Sequence, residues 1–186
     1  MKATAAYARD EVDLAKRKIT TWSDFSRLGE SVTVLTKGSF DILHSGHISL
    51  MTYCDRLRKG AGGGAVVVVV ESDHSVRARK GDKRPIQDES HRSLQLALLP
   101  TVQRVIVASS ADLGLILEAT APRYYVKGGD TAVGNTVLGE PEKLFLDKTR
   151  NMELEYLGPR TEVVVFLDDG RISTSSLLAK IHATDG

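Results

Sequence analysis

The chain has 186 residues, 41% of them hydrophobic, and a net charge of +1 from 25 basic and 24 acidic residues. That is enough chain for one domain with a substantial core, and the charge balance gives no electrostatic case for a nucleic-acid or membrane partner. The single cysteine, Cys54, excludes an internal disulfide framework and a multi-cysteine zinc site.

Met1 to Asp10 holds no apolar signal core and no run of about 18 apolar residues occurs, so a cytoplasmic protein is expected. Residues 9–18 are charge-rich and predict a short helix, and Trp22 to Leu28 predicts a second, so residues 1–30 read as a helical extension. Val32 to Thr36 is the first predicted strand. After His47, the residues Leu50, Cys54 and Leu57 share one helical face, with Met51 beside them and Gly60 as the stop. Cys54 is therefore expected in the core.

The run Ala65 to Val70 is β-branched without alternation, as in a strand buried on both faces of a parallel sheet. Ser72 to Arg79 predicts a helix, Lys80 to Asp88 a polar loop, and Ser90 to Leu99 a helix stopped by Pro100. Val105 to Val107, Tyr124 to Val126 and Glu162 to Leu167 read as strands. Asp112 to Ala121 and Ser173 to His182 read as helices, with a short one at Glu142 to Leu146. Strands alternating with helices imply a parallel α/β sheet with right-handed crossovers, whose ligands sit beyond the C-terminal strand ends.

Four segments follow predicted strands. The first, Thr36 to His47, joins a strand to a helix through a glycine turn and carries two histidines in H-x-G-H form, His44 and His47 around Gly46. A helix start offers backbone N–H groups and the positive dipole end, and the imidazoles add donors where a phosphate would sit. Glu71 to Asp73 follows the second strand, and beyond it Lys80, Arg84 and Arg92 bring charge from a basic loop and the next helix. Lys127-Gly128-Gly129-Asp130 pairs a phosphate-neutralising lysine with glycines that let backbone approach a ligand. Ser173-Thr174-Ser175 places hydroxyls at the start of the last helix.

The stretch Gly38-Ser39-Phe40-Asp41, continuing to His44 and His47, resembles the signature of the cytidylyltransferase-like nucleotidyltransferases. Class I aminoacyl-tRNA synthetases carry a related motif, but this chain is too short to resemble one. Ser72-Asp73-His74-Ser75 with Lys80 to Pro85, then Val126 to Asp130, then Ser173 to Ser175 resemble the adenylyltransferase domain of bifunctional ADP-heptose synthases, over about Lys18 to Ile181. The sugar-kinase half of those proteins has no counterpart here, so the resemblance implies a stand-alone transferase. The chain departs from the pattern at Lys37, where an Asn or Gly is usual, and at 131–160, an inserted segment within a domain of residues 31–186.

The resemblance implies a Rossmann-like, doubly wound parallel sheet with helices on both faces. It implies transfer of a nucleoside monophosphate, AMP from ATP favoured, to a sugar 1-phosphate such as heptose 1-phosphate, with pyrophosphate released. His44, His47, Lys37, Lys80 and Lys127 would be the catalytic groups. Gly38, Ser39, Phe40, Asp41, Gly46, Gly128, Ser173, Thr174 and Ser175 would bind the nucleotide, with Asp41 either anchoring the turn or contacting a substrate group. Asp73, Arg84, Arg92, Gly129 and Asp130 would bind the acceptor, although Arg84 and Arg92 also suit the β- and γ-phosphates. Mg²⁺ would be held mainly by nucleotide phosphates and water, with no protein metal site, and the family resemblance suggests a homodimer. Alternatives are a cytidylyltransferase on glycerol 3-phosphate, an FMN adenylyltransferase, or a nucleotide-binding sensor that has lost catalysis. Retention of both histidines and the three lysines speaks against the last.

Overall fold

The structure, a computed structural model, describes residues 9–28, 31–128 and 152–167. Six parallel strands form one sheet: β1 (Ile19–Thr21), β2 (Val32–Gly38), β3 (Ala65–Glu71), β4 (Arg104–Ala108), β5 (Tyr124–Gly128) and β6 (Glu162–Phe166). Their spatial order is β1-β4-β3-β2-β5-β6. The helices are α1 (Arg9–Lys16), α2 (Trp22–Leu28), α3 (Ser45–Gly60), α4 (Asp73–Lys80), α5 (Glu89–Ala97) and α6 (Leu113–Thr120). A 3-10 helix spans Met152–Tyr156.

All seven residues of β3 are buried, as its unalternating valines require of a strand covered on both faces. Its even-numbered valines, Val66, Val68 and Val70, pack with Leu50, Met51 and Cys54 of α3 and Leu96 and Ala97 of α5. Val67 and Val69 face the other way, toward Phe25 of α2 and Leu113, Ile116 and Leu117 of α6. The topology explains the two layers. From β2 the chain steps through β3 to β4 in one direction, then returns past β2 to β5. A right-handed crossover run in the opposite direction must lie on the opposite face. The reversal falls between β2 and β5, where open α/β sheets have their crevice.

One sequence expectation needs correction. Residues 1–30 are more than a helical extension, because Ile19–Thr21 is an edge strand paired with Val105 to Val107 of β4. Three residues are too short for a detectable alternation, and the partner supplies the order. Of the inserted segment the structure describes the 3-10 helix Met152–Tyr156; the helices expected at Glu142 to Leu146 and Ser173 to His182 lie outside the described residues. The 3-10 helix rests on α6 at Gly114, where an added Cβ would stand 2.7 Å from the Tyr156 ring. Among the described residues no helix is long and apolar enough to cross a membrane.

Candidate active site

Strand β2 runs to Lys37 and Gly38, and the signature turn follows. Gly38 has no Cβ because the Phe40 ring takes that space: a Cβ would lie 3.0 Å from Phe40 Cζ. Phe40 has a φ of 47°, the left-handed region that costs a branched or bulky residue about 1–2 kcal/mol. Burial of its ring at 4% exposure offsets that cost. The ring meets His47 edge-on at 5.1 Å between centroids. His44 is the N-cap of α3 in extended backbone, and its side chain does not cap the helix. The His44 and His47 rings stack at 3.7 Å. One turn thus brings two imidazoles to the start of α3, at the C-terminal edge of the sheet.

Asp41 takes the first of its two expected roles, anchoring the turn, and Arg92, expected to face ligand, is inside the wall. Asp41 is 1% exposed, and its Oδ1 accepts from the N–H groups of Ile86 (2.7 Å) and Gln87 (3.1 Å). Its Oδ2 pairs with Arg84 Nε at 2.6 Å. Asp41 therefore anchors the basic loop to the signature turn, and Arg84 is its counter-ion. Arg92 is fully buried and donates to four protein oxygens, so its expected contact with substrate phosphate is replaced by contacts within the wall. Asp73 accepts one of those bonds, at 2.8 Å.

The cleft beside the turn encloses about 260 Å³, near the low end for small-ligand sites. Lys37, Gly38, Ser39, Phe40, His47, Glu71, Arg79, Lys80, Lys127 and Gly128 are among its lining residues. Lys80 Nζ donates to Ser39 Oγ at 2.9 Å, which fastens the end of α4 to the signature turn. Gly46 lies in the first turn of α3. Gly129, Asp130, Ser173, Thr174 and Ser175 lie outside the described residues.

Glu71, which sequence placed in a candidate segment without a role, and Arg79 and Glu153, which it did not single out, are central to the site's charge. Glu71, the last residue of β3, is 2% exposed; Lys37 Nζ donates to its Oε1 at 3.2 Å, and Arg79 pairs with its Oε2. Burial alone would raise the Glu71 pKa, but the charges of Lys37 and Arg79 hold it below the ordinary 4.5. The end of a buried strand marks Glu71 as notable in sequence, but nothing there gives its partners. Arg79 ends a helical turn that sequence shows as ordinary surface. Glu153, on the 3-10 helix, pairs with Lys127 and accepts from the Tyr125 hydroxyl at 3.1 Å. Burial opposes its charge too, and the Lys127 hydrogen bond lowers its pKa below the usual value. No sequence pattern connects residues so far apart across the insertion.

Four cationic side chains thus face the cleft against two carboxylates. The excess is felt at Lys80, whose pKa falls below 10.5 through burial first and then repulsion from Arg79 and Arg84. An anion in the cleft would relieve that repulsion. Among the described residues no group of three His, Cys, Asp or Glu side chains gathers as a metal cage. The excess of positive charge suits a polyanion.

Residues 35–173 match the family described as cytidylyltransferase-like. Over 184 residues the chain is 33% identical to the bifunctional protein HldE of Koribacter versatilis, covering 95% of this chain and 34% of that protein. With the bifunctional protein HldE of Rhodospirillum rubrum it shares 45% identity over 109 residues, 56% of this chain and 20% of the other. The chain spans about a third or less of the length of these curated relatives. Among solved structures, a lipopolysaccharide core biosynthesis protein from Thermoplasma volcanium is similar, with a TM-score of 0.51 and 26% identity. That match covers 73% of this chain and 95% of the other.

Proposed function

The chain belongs to the cytidylyltransferase-like family of nucleotidyltransferases, and on that premise we propose that it transfers AMP from ATP to a sugar 1-phosphate of the heptose 1-phosphate class, releasing pyrophosphate. The observation that carries the reading is the cationic cleft at the sheet's C-terminal edge, with both signature histidines at the start of α3. The acceptor assignment rests on the motif resemblance to ADP-heptose synthases and accords with the likeness to HldE proteins.

In this mechanism an acceptor phosphate oxygen attacks the α-phosphorus in line. A new P–O bond forms there, the bond from the α-phosphorus to the bridging oxygen breaks, and pyrophosphate leaves with the electron pair. The acceptor is already nucleophilic near neutral pH, so the protein's part is positioning and charge stabilisation. His47 and His44 donate to the bridging and α/β oxygens. Lys37, Arg79 and Lys80 neutralise the charge that develops as pyrophosphate departs. Lys127 reaches phosphate from the β5 side, with Glu153 and Tyr125 fixing its Nζ. Mg²⁺, when bound with the nucleotide, would be held by phosphate oxygens and water and would offset phosphate charge.

A pyrophosphate-release assay tests the reading with three substrate pairs: ATP with heptose 1-phosphate, CTP with glycerol 3-phosphate, and ATP with FMN. The first pair is expected to have the highest kcat/KM. If another wins by tenfold or more, about 1.4 kcal/mol, the sugar assignment is wrong. Binding of nucleotide without pyrophosphate release from any pair would favour a sensor.

A further inference from the structure

Among the described residues, Arg92 on α5 is the largest fully buried side chain. A buried cation persists only where its hydrogen bonds are met by protein. Arg92 Nε donates to the Gln87 carbonyl at 3.0 Å and Nη1 to the Ser39 carbonyl. Its Nη2 donates to the Glu71 carbonyl at 2.7 Å and to Asp73 Oδ1 at 2.8 Å.

Two partners, Ser39 and Glu71, line the cleft, and Asp73 and Gln87 belong to segments joined to it. Ser39 is in the signature turn, and its hydroxyl receives Lys80. Glu71 ends β3 and holds Lys37 and Arg79 on its carboxylate. Asp73 opens α4, the helix that ends in Arg79 and Lys80. Gln87 lies in the basic loop whose N–H groups hold Asp41. One planar fork therefore joins every segment that carries Lys37, Arg79 or Lys80. A lysine cannot span these acceptors, since its three donors share one nitrogen, whereas guanidinium donors lie on three nitrogens in a fixed plane.

We infer that Arg92 is a positioning residue, which touches no ligand and fixes the spacing of Lys37, Arg79 and Lys80 for a triphosphate. This rests on the reading that the cleft binds a triphosphate. Phosphate stabilisation depends steeply on placement, and a shift of about 1 Å in a reacting geometry can cost about 100-fold. Arg92 conveys that sensitivity from a site outside the cleft.

Inorganic tripolyphosphate is the probe, titrated by calorimetry well below each protein's unfolding temperature. If the unaltered chain fails to bind it, the triphosphate reading fails whatever Arg92 does. If it binds, Arg92→Lys is expected to bind about tenfold or more weakly while its circular dichroism remains native, because the roots of the three cations drift. Added guanidinium is expected to restore part of the affinity of Arg92→Gly. Unchanged affinity in folded Arg92→Lys, with only a lower Tm, would make Arg92 merely structural and overturn the inference. A second measurement needs no variant. The Arg92 Nε–H of the unaltered chain should stay protected from solvent exchange with and without tripolyphosphate. Rapid exchange, or loss of protection on binding, would show that Arg92 enters the cleft and would equally overturn it.

Discussion

Replacing Glu71 with glutamine removes one buried charge and leaves the shape almost unchanged. The carboxylate is 2% exposed and bridges Lys37 and Arg79. Removing one partner of a buried pair costs about 3–5 kcal/mol when the remaining charge stays buried. Here the Lys37 and Arg79 side chains are 24% and 51% exposed, so both cations recover water. The glutamine oxygen also keeps a hydrogen bond from one of the two cations, worth about 1.5–3 kcal/mol. The loss should therefore be about 1–3 kcal/mol, with Tm falling about 2–4 °C per kcal/mol for a chain of this size. The folded pKa of Glu71 lies below its ordinary 4.5. Its contribution is thus fully present above 4.5 and is lost as pH falls through the folded value. Urea unfolding of both proteins should show the full difference at about pH 7 and a shrinking one as acidification proceeds below 4.5. Equal stability at neutral pH, or a difference that persists after Glu71 protonates, would refute the bridging role.

Replacing His44 or His47 with alanine should cut turnover by about two to three orders of magnitude, as for a lost oxyanion donor, and change nucleotide affinity far less. Near-normal steady-state turnover in both variants would remove them from the mechanism. Tripolyphosphate binding should take up a proton at Lys80, whose pKa is lowered by burial, Arg79 and Arg84 in the free cleft. Affinity should fall as pH rises through that lowered value, with a buffer-dependent binding enthalpy that Lys80→Arg abolishes; a pH-flat affinity would contradict this. Cys54 is buried, and burial pushes its thiol up to about 12. It should react with thiol reagents only as fast as the chain opens, and Cys54→Ser should keep its turnover; rapid native-state labelling would disprove this. Light scattering should give a mass twice 20.2 kDa, and a monomer mass at micromolar concentration would reject the homodimer proposed from the family resemblance.

Local pattern was enough where one residue type does one job. The valine run of β3 has no alternation because both its faces are covered, and the strand lies at the middle of the sheet as that composition requires. The glycine turn with His44 and His47 encodes a strand-to-helix junction within twelve consecutive residues, so its position and chemistry were legible together. Cys54 on an apolar helical face was legible for the same reason and is buried. The edge strand Ile19–Thr21 was not, since three residues carry no period and take their order from β4.

The site's charges divide along the same line. A basic residue after a strand is visible in sequence, but whether it meets ligand or protein depends on which chain segments the fold brings beside it. Arg84 and Arg92 read as phosphate contacts because arginine's fork suits phosphate; in the folded chain Asp41 pairs with Arg84 Nε and four protein oxygens occupy the Arg92 fork. Glu71 pairs with Lys37 across 34 positions, and Glu153 with Lys127 across 26. Sequence determined the backbone hydrogen-bonding elements and the signature turn, because those depend on neighbours a few residues apart. Only tertiary structure decided which cations face the cleft, because burial and ion pairing depend on distances in space that linear separation does not set.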